Sequence, residues 1–282
     1  MTWKPVVKAL EGLALLVVVA GVIVGWLGGR PLSRTWDVEV EPIEIPSDSA
    51  SIAEGARLAR IEGCRSCHDD GLTGGFAFAD DLLLGRVVTA NLTRVLPEYS
   101  DVELVRLLRY GVRRDGTSAV VMPADMFVHL SDEDLGRIIA WLRTVPPTGE
   151  SQRKRTIGLM GRYRLLTGEY VTSAELVPDD VRWPSSRPLP SDVETYGRYL
   201  AMTTCSECHG QDLAGLASAG APNLSIAAAY SPEEFRRLLR TGVGLGGRDL
   251  GLMSIVAPLR FAKLTDGEID ALHAWLVART RR

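Results

Sequence analysis

The chain has 282 residues, of which 46% are hydrophobic and 24% charged, and its net charge is −3. This composition is that of an ordinary globular chain of about two domains, and it excludes long disordered stretches and a large basic surface for nucleic acid. The charge is uneven, because residues 1–36 carry +3 and the remainder carries −6. The asymmetry indicates a membrane at the N-terminus.

Residues 1–36 predict a signal anchor that crosses the membrane. Residues 12–27 carry no charge, and a helix from Val6 to Trp26 would be about 31 Å long, which matches the hydrocarbon core. Trp3 and Trp26 flank it, where indole rings favour the membrane interface. A cleaved signal peptide is the alternative, but the segment has no clear A-x-A site and its apolar part is long for one.

The remainder of the chain contains the same domain twice. YSDVELVRLLRYGV at 99–112 aligns without gaps with YSPEEFRRLLRTGV at 230–243, and LSDEDLGRIIAWL at 130–142 aligns with LTDGEIDALHAWL at 264–276. Self-similarity of this kind indicates a repeated structural unit. We therefore predict a domain at 48–147, a linker at 148–190 and a second domain at 191–282.

Each copy is predicted to be helical, so the fold class is all-α: an N-terminal transmembrane helix followed by two helical domains. The predicted N-caps are Ser100, Ser131, Ser231 and Thr265, and the predicted C-caps are Gly111 and Gly242. No stretch alternates with period two for long enough to indicate a sheet. A domain of about 100 residues with so few long helices has a thin core, so another group is expected to fill its centre.

The four cysteines lie in two short motifs, CRSCH at 64–68 and CSECH at 205–209. C-x-x-C-H is the attachment sequence of c-type haem, in which two thiols bind the porphyrin and the histidine binds the iron. A redox dithiol and a Cys₄ zinc site are the alternatives, but neither copy lies in a βαβ pattern and zinc would not require a histidine after both pairs. The predicted attachment residues are Cys64, Cys67, His68, Cys205, Cys208 and His209.

Haem attachment also orients the anchor, since it takes place outside the bacterial cytoplasm or in the equivalent organelle compartment. The lysine and arginine counts on the two sides of the helix are equal and do not orient it. We expect a single-pass protein of the bacterial cytoplasmic (inner) membrane. Its N-terminus would lie inside, and both haem domains would lie on the periplasmic side.

A methionine is the usual sixth ligand opposite histidine in electron-transfer cytochromes c. Met122 lies five residues before Phe127, and Met253 lies eight residues before the aligned Phe261, which matches a three-residue insertion in the second copy. Met126 is a second candidate in the first copy. Met122 is preferred because a Met-Pro pair in a loop fixes the backbone near the iron, whereas Met126 suits the core.

Each copy resembles a class I cytochrome c domain: Gly-x-x-Leu-Ala, CxxCH, a loop with Asn-Leu-Thr or Asn-Leu-Ser, a middle helix, an axial methionine and a final helix with an aromatic residue. The whole chain is similar to membrane-anchored di-haem cytochromes c that serve respiratory dehydrogenases and haem-copper oxidases as cytochrome subunits. The resemblance covers about 190 residues. It implies two covalent haems c, with His68 and His209 as proximal ligands and Met122 and Met253 as distal ligands.

The loops after the motifs carry further expectations. The resemblance implies a proline carbonyl that bonds the free ring nitrogen of the proximal histidine; Pro222 fits, whereas the first copy has Ala90 at this place. Asn91 and Asn223 formally match glycosylation sequons. Their matching positions in both copies indicate instead that they shape the haem loops.

The remaining histidines and arginines have weaker interpretations. His129 and His273 are predicted to be packing or surface residues rather than iron ligands. Arg109 and Arg240 occupy the same aligned position and are the preferred partners of the haem propionates. In the linker, QRKRTIGLMGRYRLL indicates a segment on an anionic membrane surface, against a partner subunit, or packed as a helix on one domain.

The leading functional hypothesis is an electron carrier that is not itself an enzyme. An iron that holds both histidine and methionine changes oxidation state without making room for a substrate. Its expected partners are a protein electron donor and a protein electron acceptor, as other subunits of a membrane complex, and no nucleic acid. The alternatives are a di-haem oxidoreductase with one iron open to a small molecule and a haem-based gas sensor.

Overall fold

A computed structural model describes residues 3–152 and 154–281. A long and a short N-terminal helix come first: α1, Lys4–Leu27, and α2, Arg30–Ser33. The first repeat contains α3 (Ser49–Ile61), α4 (Cys64–His68), α5 (Leu92–Val95), α6 (Asp101–Tyr110), α7 (Ala124–Phe127) and α8 (Asp132–Thr144).

The rest of the chain repeats this order after a partly helical linker. The linker contains α9 (Leu159–Leu166) and α10 (Ser173–Leu176). The second repeat contains α11 (Val193–Thr204), α12 (Ser206–His209), α13 (Pro232–Thr241), α14 (Leu252–Leu259) and α15 (Asp266–Arg279). Short 3₁₀ segments lie at Leu96–Glu98, Ala217–Ala219, Leu224–Ala229, Leu245–Gly247 and Phe261–Lys263.

One small antiparallel sheet, which the sequence did not predict, lies beside the first repeat. Its strands are β1 (Ala77–Asp81), β2 (Gly85–Val88) and β3 (Thr156–Ile157), in the order β1-β2-β3. The strands are short and β1 is mostly exposed, so no alternation of buried and exposed residues marks them in the sequence. The third strand comes from the linker, which ties the linker to the first repeat.

The predicted helix ends are confirmed. The side chains of Ser100, Ser131, Ser231 and Thr265 all accept hydrogen bonds from the first helical turns that follow them. Gly111 and Gly242 end α6 and α13 with φ of +65° and +75°. Glycine adopts this left-handed conformation without strain, which is why it stops the two middle helices at matching places.

Each repeat has its own hydrophobic core, built where its first helix crosses its last. Helix α3 packs on α8, and α11 packs on α15. The crossings are close because a glycine lies at each: a Cβ on Gly55 would lie 1.9 Å from the carbonyl oxygen of Arg137, and one on Gly197 would lie 2.4 Å from Cβ of Trp275. Trp141 and Trp275 are buried on the last helices, as predicted.

The two repeats form one interface through buried charges. The guanidinium of Arg57 binds Glu54 of its own helix and Glu268 of the second repeat, with Nη1 2.8 Å from Oε2 of Glu268. Arg187, from the linker, also binds both of these carboxylates. Glu268 is buried, and a buried carboxylate needs such paired cations to remain charged. The network therefore holds the repeats in a fixed arrangement.

Apolar and neutral contacts reinforce this interface. The hydroxyl of Tyr199 donates to Oδ2 of Asp134 at 2.6 Å, and both side chains are buried. Ile61, at the end of α3, belongs to the hydrophobic core of the second repeat. The proline-rich part of the linker has no regular structure and crosses the start of α8, where the carbonyl of Pro184 accepts from the amide of Asp132.

Within the described residues, α1 is the one helix long and apolar enough to cross a membrane. It has 24 residues, which is about 36 Å at 1.5 Å per residue. None of its most apolar window is buried against the rest of the protein.

The helix crossing gives a stability prediction. We expect Gly55→Ala to destabilise the protein by about 1–3 kcal/mol or more, because the new methyl group would overlap a backbone carbonyl that cannot rotate away. Chemical denaturation followed by far-UV circular dichroism measures the change. Gly267→Ala in α15 is the matched control, since a Cβ there meets nothing within 4 Å. An equal loss in both variants would contradict the role of the crossing.

Candidate haem-binding sites

The CxxCH motifs form single helical turns that hold their histidines by a backbone carbonyl. Nδ1 of His68 lies 2.8 Å from the carbonyl oxygen of Ala90, and Nδ1 of His209 lies 2.7 Å from that of Pro222. A carbonyl only accepts, so Nδ1 carries the proton and the lone pair of Nε2 is left for a metal. Burial lowers the pKa of both histidines, which favours this neutral form.

The four cysteine side chains lie in an environment that suppresses thiolate chemistry. Burial raises the pKa of Cys64 to about 12 and that of Cys205 to about 11. Reactive dithiols have lowered values instead. Among the residues that the structure describes, no three histidine, cysteine or acidic side chains gather as a metal site. The geometry therefore matches neither a thioredoxin-like dithiol nor a zinc site.

The first motif opens into an apolar cavity of about 370 Å³, a size typical of ligand sites. Cys64, Cys67, His68 and Met122 all lie in its wall. The rest of the wall is largely aliphatic and aromatic, with contributions from Leu92, Leu96, Leu104, Leu107, Leu108, Phe127 and Leu142. A covalently attached haem requires two thiols, one available imidazole nitrogen and one thioether, all on an apolar cavity. The wall provides these groups, so the site fits this cofactor.

The cavity wall also holds cations: Arg113, Arg155 and Arg260 line it. Nε of Arg113 is buried and has no hydrogen-bond partner within residues 3–152 and 154–281. Burial and the nearby charge of Arg113 lower the pKa of Arg155 to about 10. Two neighbouring cations, one of which has an unsatisfied donor, suit a ligand with anionic groups, and the propionates of haem are such groups.

The expectation that Arg109 and Arg240 bind propionates is wrong. Arg109 is buried and donates to the carbonyl oxygens of Val128 and Leu130 and to Asp132. Arg240 likewise donates to Ala262 and Asp266. The two arginines have the same structural role, which explains their aligned position. Each connects the end of a middle helix to the segment before the final helix through hydrogen bonds.

The two methionines of the first repeat lie in different environments. Met122 is in the cavity wall with His68, on the loop before α7. Met126 is fully buried in the first hydrophobic core, and its Sδ lies 3.8 Å from Nη2 of Arg260. The structure therefore brings Met122, and not Met126, together with the attachment residues.

In the second repeat, Met253 lies in a helix, whereas Met122 lies in a loop. Met253 is the second residue of α14 and packs, partly buried, on the second core, as Cys205 also does. The helix forms because LMSIVAPL is apolar and Pro258 comes only in its last turn, where it loses a single hydrogen bond. Gly242 allows α14 to come close, since a Cβ there would lie 2.2 Å from the carbonyl oxygen of Ser254.

The other predicted packing residues are mostly confirmed. Nε2 of His129 lies 2.7 Å from Oε1 of Gln211, and His273 is buried with Nε2 3.1 Å from the carbonyl oxygen of Ala227. Asn91 and Asn223 accept amide hydrogen bonds two residues further on and so shape their loops.

Sequence reasoning did not assign Arg155 or Arg260 to a site. Arg155 lies in the linker, where its charge suggested a membrane or partner surface. Arg260 belongs to the second repeat and yet lines the cavity of the first. Neither position carries a local motif, so only the three-dimensional arrangement identifies them. Arg153, also part of the basic linker segment, lies outside the described residues.

Comparison with known proteins gives matches over most of the chain. The family described as "Cytochrome C oxidase, cbb3-type, subunit III" matches residues 50–142 and 193–276. The chain is 26% identical to the fructose dehydrogenase cytochrome subunit of Gluconobacter japonicus, over 88% of this chain and 59% of that protein. It is 24% identical to a diheme cytochrome c-type of Cereibacter sphaeroides, over 70% of this chain and 67% of that protein.

A third relative is the cytochrome c subunit of the quinone alcohol dehydrogenase of Gluconacetobacter polyoxogenes, with 25% identity over 46% of this chain and 28% of that protein. The chain thus spans about three fifths or less of the length of the two dehydrogenase subunits. The family match, in contrast, falls on both repeats and includes both CxxCH motifs. The chain therefore belongs to this cytochrome c family, with two cytochrome c domains in tandem.

Proposed function

We propose that this chain carries electrons through two covalently attached haems c, one in each repeat, with domain limits at 48–147 and 191–282. The observation that carries the proposal is the apolar cavity on which two thiols, an imidazole and a thioether converge. The second repeat supports it through an identical motif and the same histidine–carbonyl bond. The proposed axial ligands are His68 and Met122 in the first repeat and His209 and Met253 in the second.

When bound, haem supplies one-electron chemistry, and histidine with methionine as ligands raises its potential. The chain's own residues do the rest. The cysteines fix the cofactor, and the carbonyls of Ala90 and Pro222 orient the imidazoles. The aliphatic wall excludes water, and the cavity cations offer partners for the propionates. The burial of Met126 in the core supports Met122 as the distal ligand, and it therefore favours the carrier over a catalytic role with one open iron.

The N-terminal helix and the named relatives support a subunit role. Two relatives are cytochrome subunits of dehydrogenases, and this chain offers a membrane helix but no catalytic machinery of its own among the residues assigned above. We infer that it accepts electrons from a dehydrogenase partner at the outer face of the bacterial cytoplasmic membrane. The N-terminus then lies inside, since haem attachment requires both repeats outside.

The linker is proposed to lie on the membrane surface. Helix α9 packs on α1, where Nη1 of Arg162 lies 2.6 Å from the carbonyl oxygen of Gly25. The hairpin between β1 and β2 contacts the start of α9, since the amide of Met160 donates to the carbonyl oxygen of Leu83 at 3.0 Å. Around the outer end of α1 these segments expose large apolar side chains, called here the membrane-facing patch: Leu82, Leu83, Leu159, Met160, Tyr163 and Leu166.

A bilayer is the occupant that the position of this patch favours. Exposed apolar residues next to the end of a membrane helix bury their surface in the interfacial region, and flanking arginines pair with anionic headgroups. Leu82 is 98% exposed and Leu83 66% exposed. Such exposure at a hairpin tip suits insertion between lipid headgroups.

The first prediction concerns the number and state of the haems. We expect two haems per chain by pyridine haemochrome assay of the full-length protein in detergent. We also expect the reduced optical spectrum to remain unchanged under carbon monoxide, because both irons hold two protein ligands. A spectrum that shifts for one haem would mean an open iron and would contradict the carrier proposal.

The methionine variants test the ligands. Met122→Ala and Met253→Ala are each expected to make one haem reactive with carbon monoxide, since each removes a sixth ligand. Met126→Ala is the matched control. It should leave both haems unreactive while destabilising the protein by about 2–5 kcal/mol, because it opens a cavity in the core. Carbon monoxide binding in Met126→Ala but not in Met122→Ala would reverse the assignment.

The membrane-facing patch is tested in proteoliposomes of the full chain. All four native cysteines are proposed to be in thioethers, so a fluorophore attaches only to a new cysteine. At Leu82→Cys we expect strong quenching by spin-labelled lipids. Leu189→Cys, which replaces a 71% exposed leucine outside the patch, should be unaffected. Equal, weak quenching at both positions would contradict membrane contact and favour a protein partner.

A further inference from the structure

Arg260 of the second repeat reaches into the site of the first. It is only 5% exposed. Its Nε donates to the carbonyl oxygen of Ile61 at 2.8 Å, and its guanidinium closes on Gly63, where a Cβ would lie 3.0 Å from Cζ. The carbonyl and the glycine directly precede the first CxxCH motif. Arg260 therefore contacts the backbone that positions the first pair of cysteines.

The other end of the same guanidinium holds the second motif. Nη1 of Arg260 donates to Oε2 of Glu207 at 2.6 Å. Glu207 lies between Cys205 and Cys208, inside CSECH. Both Glu207 and Arg260 also line the cavity of the first repeat. One buried side chain thus bridges the two attachment motifs, which are far apart in sequence.

The charge of Arg260 is only partly balanced by its surroundings. Glu207 is its one hydrogen-bonded carboxylate among the described residues. Glu62 is also close enough to act on it, but Glu62 is buried, its Oε2 has no hydrogen-bond partner in the described part of the chain, and burial raises its pKa to about 8. Near neutral pH that carboxyl is largely uncharged. Arginine stays protonated even when buried.

We propose that Arg260 is a positioning residue shared by both haem sites, which locks the two attachment motifs together and raises the reduction potential of both haems. The inference rests on the two-haem function proposed above. An oxidised haem carries one more positive charge than a reduced one, so a fixed cation beside it in a medium of low dielectric constant disfavours oxidation. A cation between two sites must act on both.

The test is a spectroelectrochemical titration of the full-length protein in detergent. Arg260→Met should lower both potentials, with the ratio of reduced to oxidised haem at a fixed potential falling about tenfold, which corresponds to about 59 mV for one electron. Arg260→Lys keeps the charge and should restore most of both potentials. Glu207→Gln removes the opposing charge and should raise both. This opposite sign cannot result from general loosening of the structure.

Arg236→Met is the matched control, since Arg236 pairs with Asp270 at 2.6 Å on the same repeat and has no assigned contact with either motif. It should leave both potentials unchanged. Unchanged potentials in Arg260→Met, or a shift of one haem alone, would overturn the shared role. Such a result differs from failure of the proposed function, which would appear as a haem count other than two or as carbon monoxide binding in the unaltered protein.

Discussion

The close crossing of the first and last helix in each repeat is the constraint on which both sites depend. Gly55 and Gly197 let two helices approach to backbone contact, and each crossing fixes the helix that leads directly into a CxxCH motif. The helix then needs only a short turn to present two thiols and a histidine. Local packing thus determines the position of the predicted attachment residues.

The interface between the repeats fixes the position of one repeat relative to the other. Buried ions cost several kcal/mol each unless they are paired, yet this interface buries Arg260 and Glu268. Their hydrogen bonds are directional, so the repeats have one favourable arrangement rather than a range. For electron transfer this matters because the separation of two carriers must stay fixed. Hydrophobic contacts, such as that of Ile61 with the second core, also hold the two repeats together. Because they are not directional, they do not fix the relative orientation of the repeats.

The sequence predicted those features that depend on neighbouring residues. The helix caps rest on local spacing, and the structure confirms them. The attachment motifs and the choice of Met122 over Met126 also rest on local spacing, and they stay predictions. The features that were missed depend on distant contacts. The close packing of the Met253 helix depends on Gly242, and β3 pairs with residues about 70 positions away. Arg109 and Arg240 aligned correctly, but alignment alone could not distinguish a structural tie from a ligand contact.

The two sites differ because of parts of the chain that are not repeated. Each repeat contributes the same motif, the same histidine–carbonyl bond and an aligned methionine. The first cavity, however, is also walled by Ser151, Gln152 and Arg155 of the linker and by two residues of the second repeat. A more enclosed haem has less water around it, and this changes its potential even when its ligands are identical. Because the same linker also packs on α1 through Arg162, the segment that distinguishes the first site from the second is the one that connects it to the membrane helix.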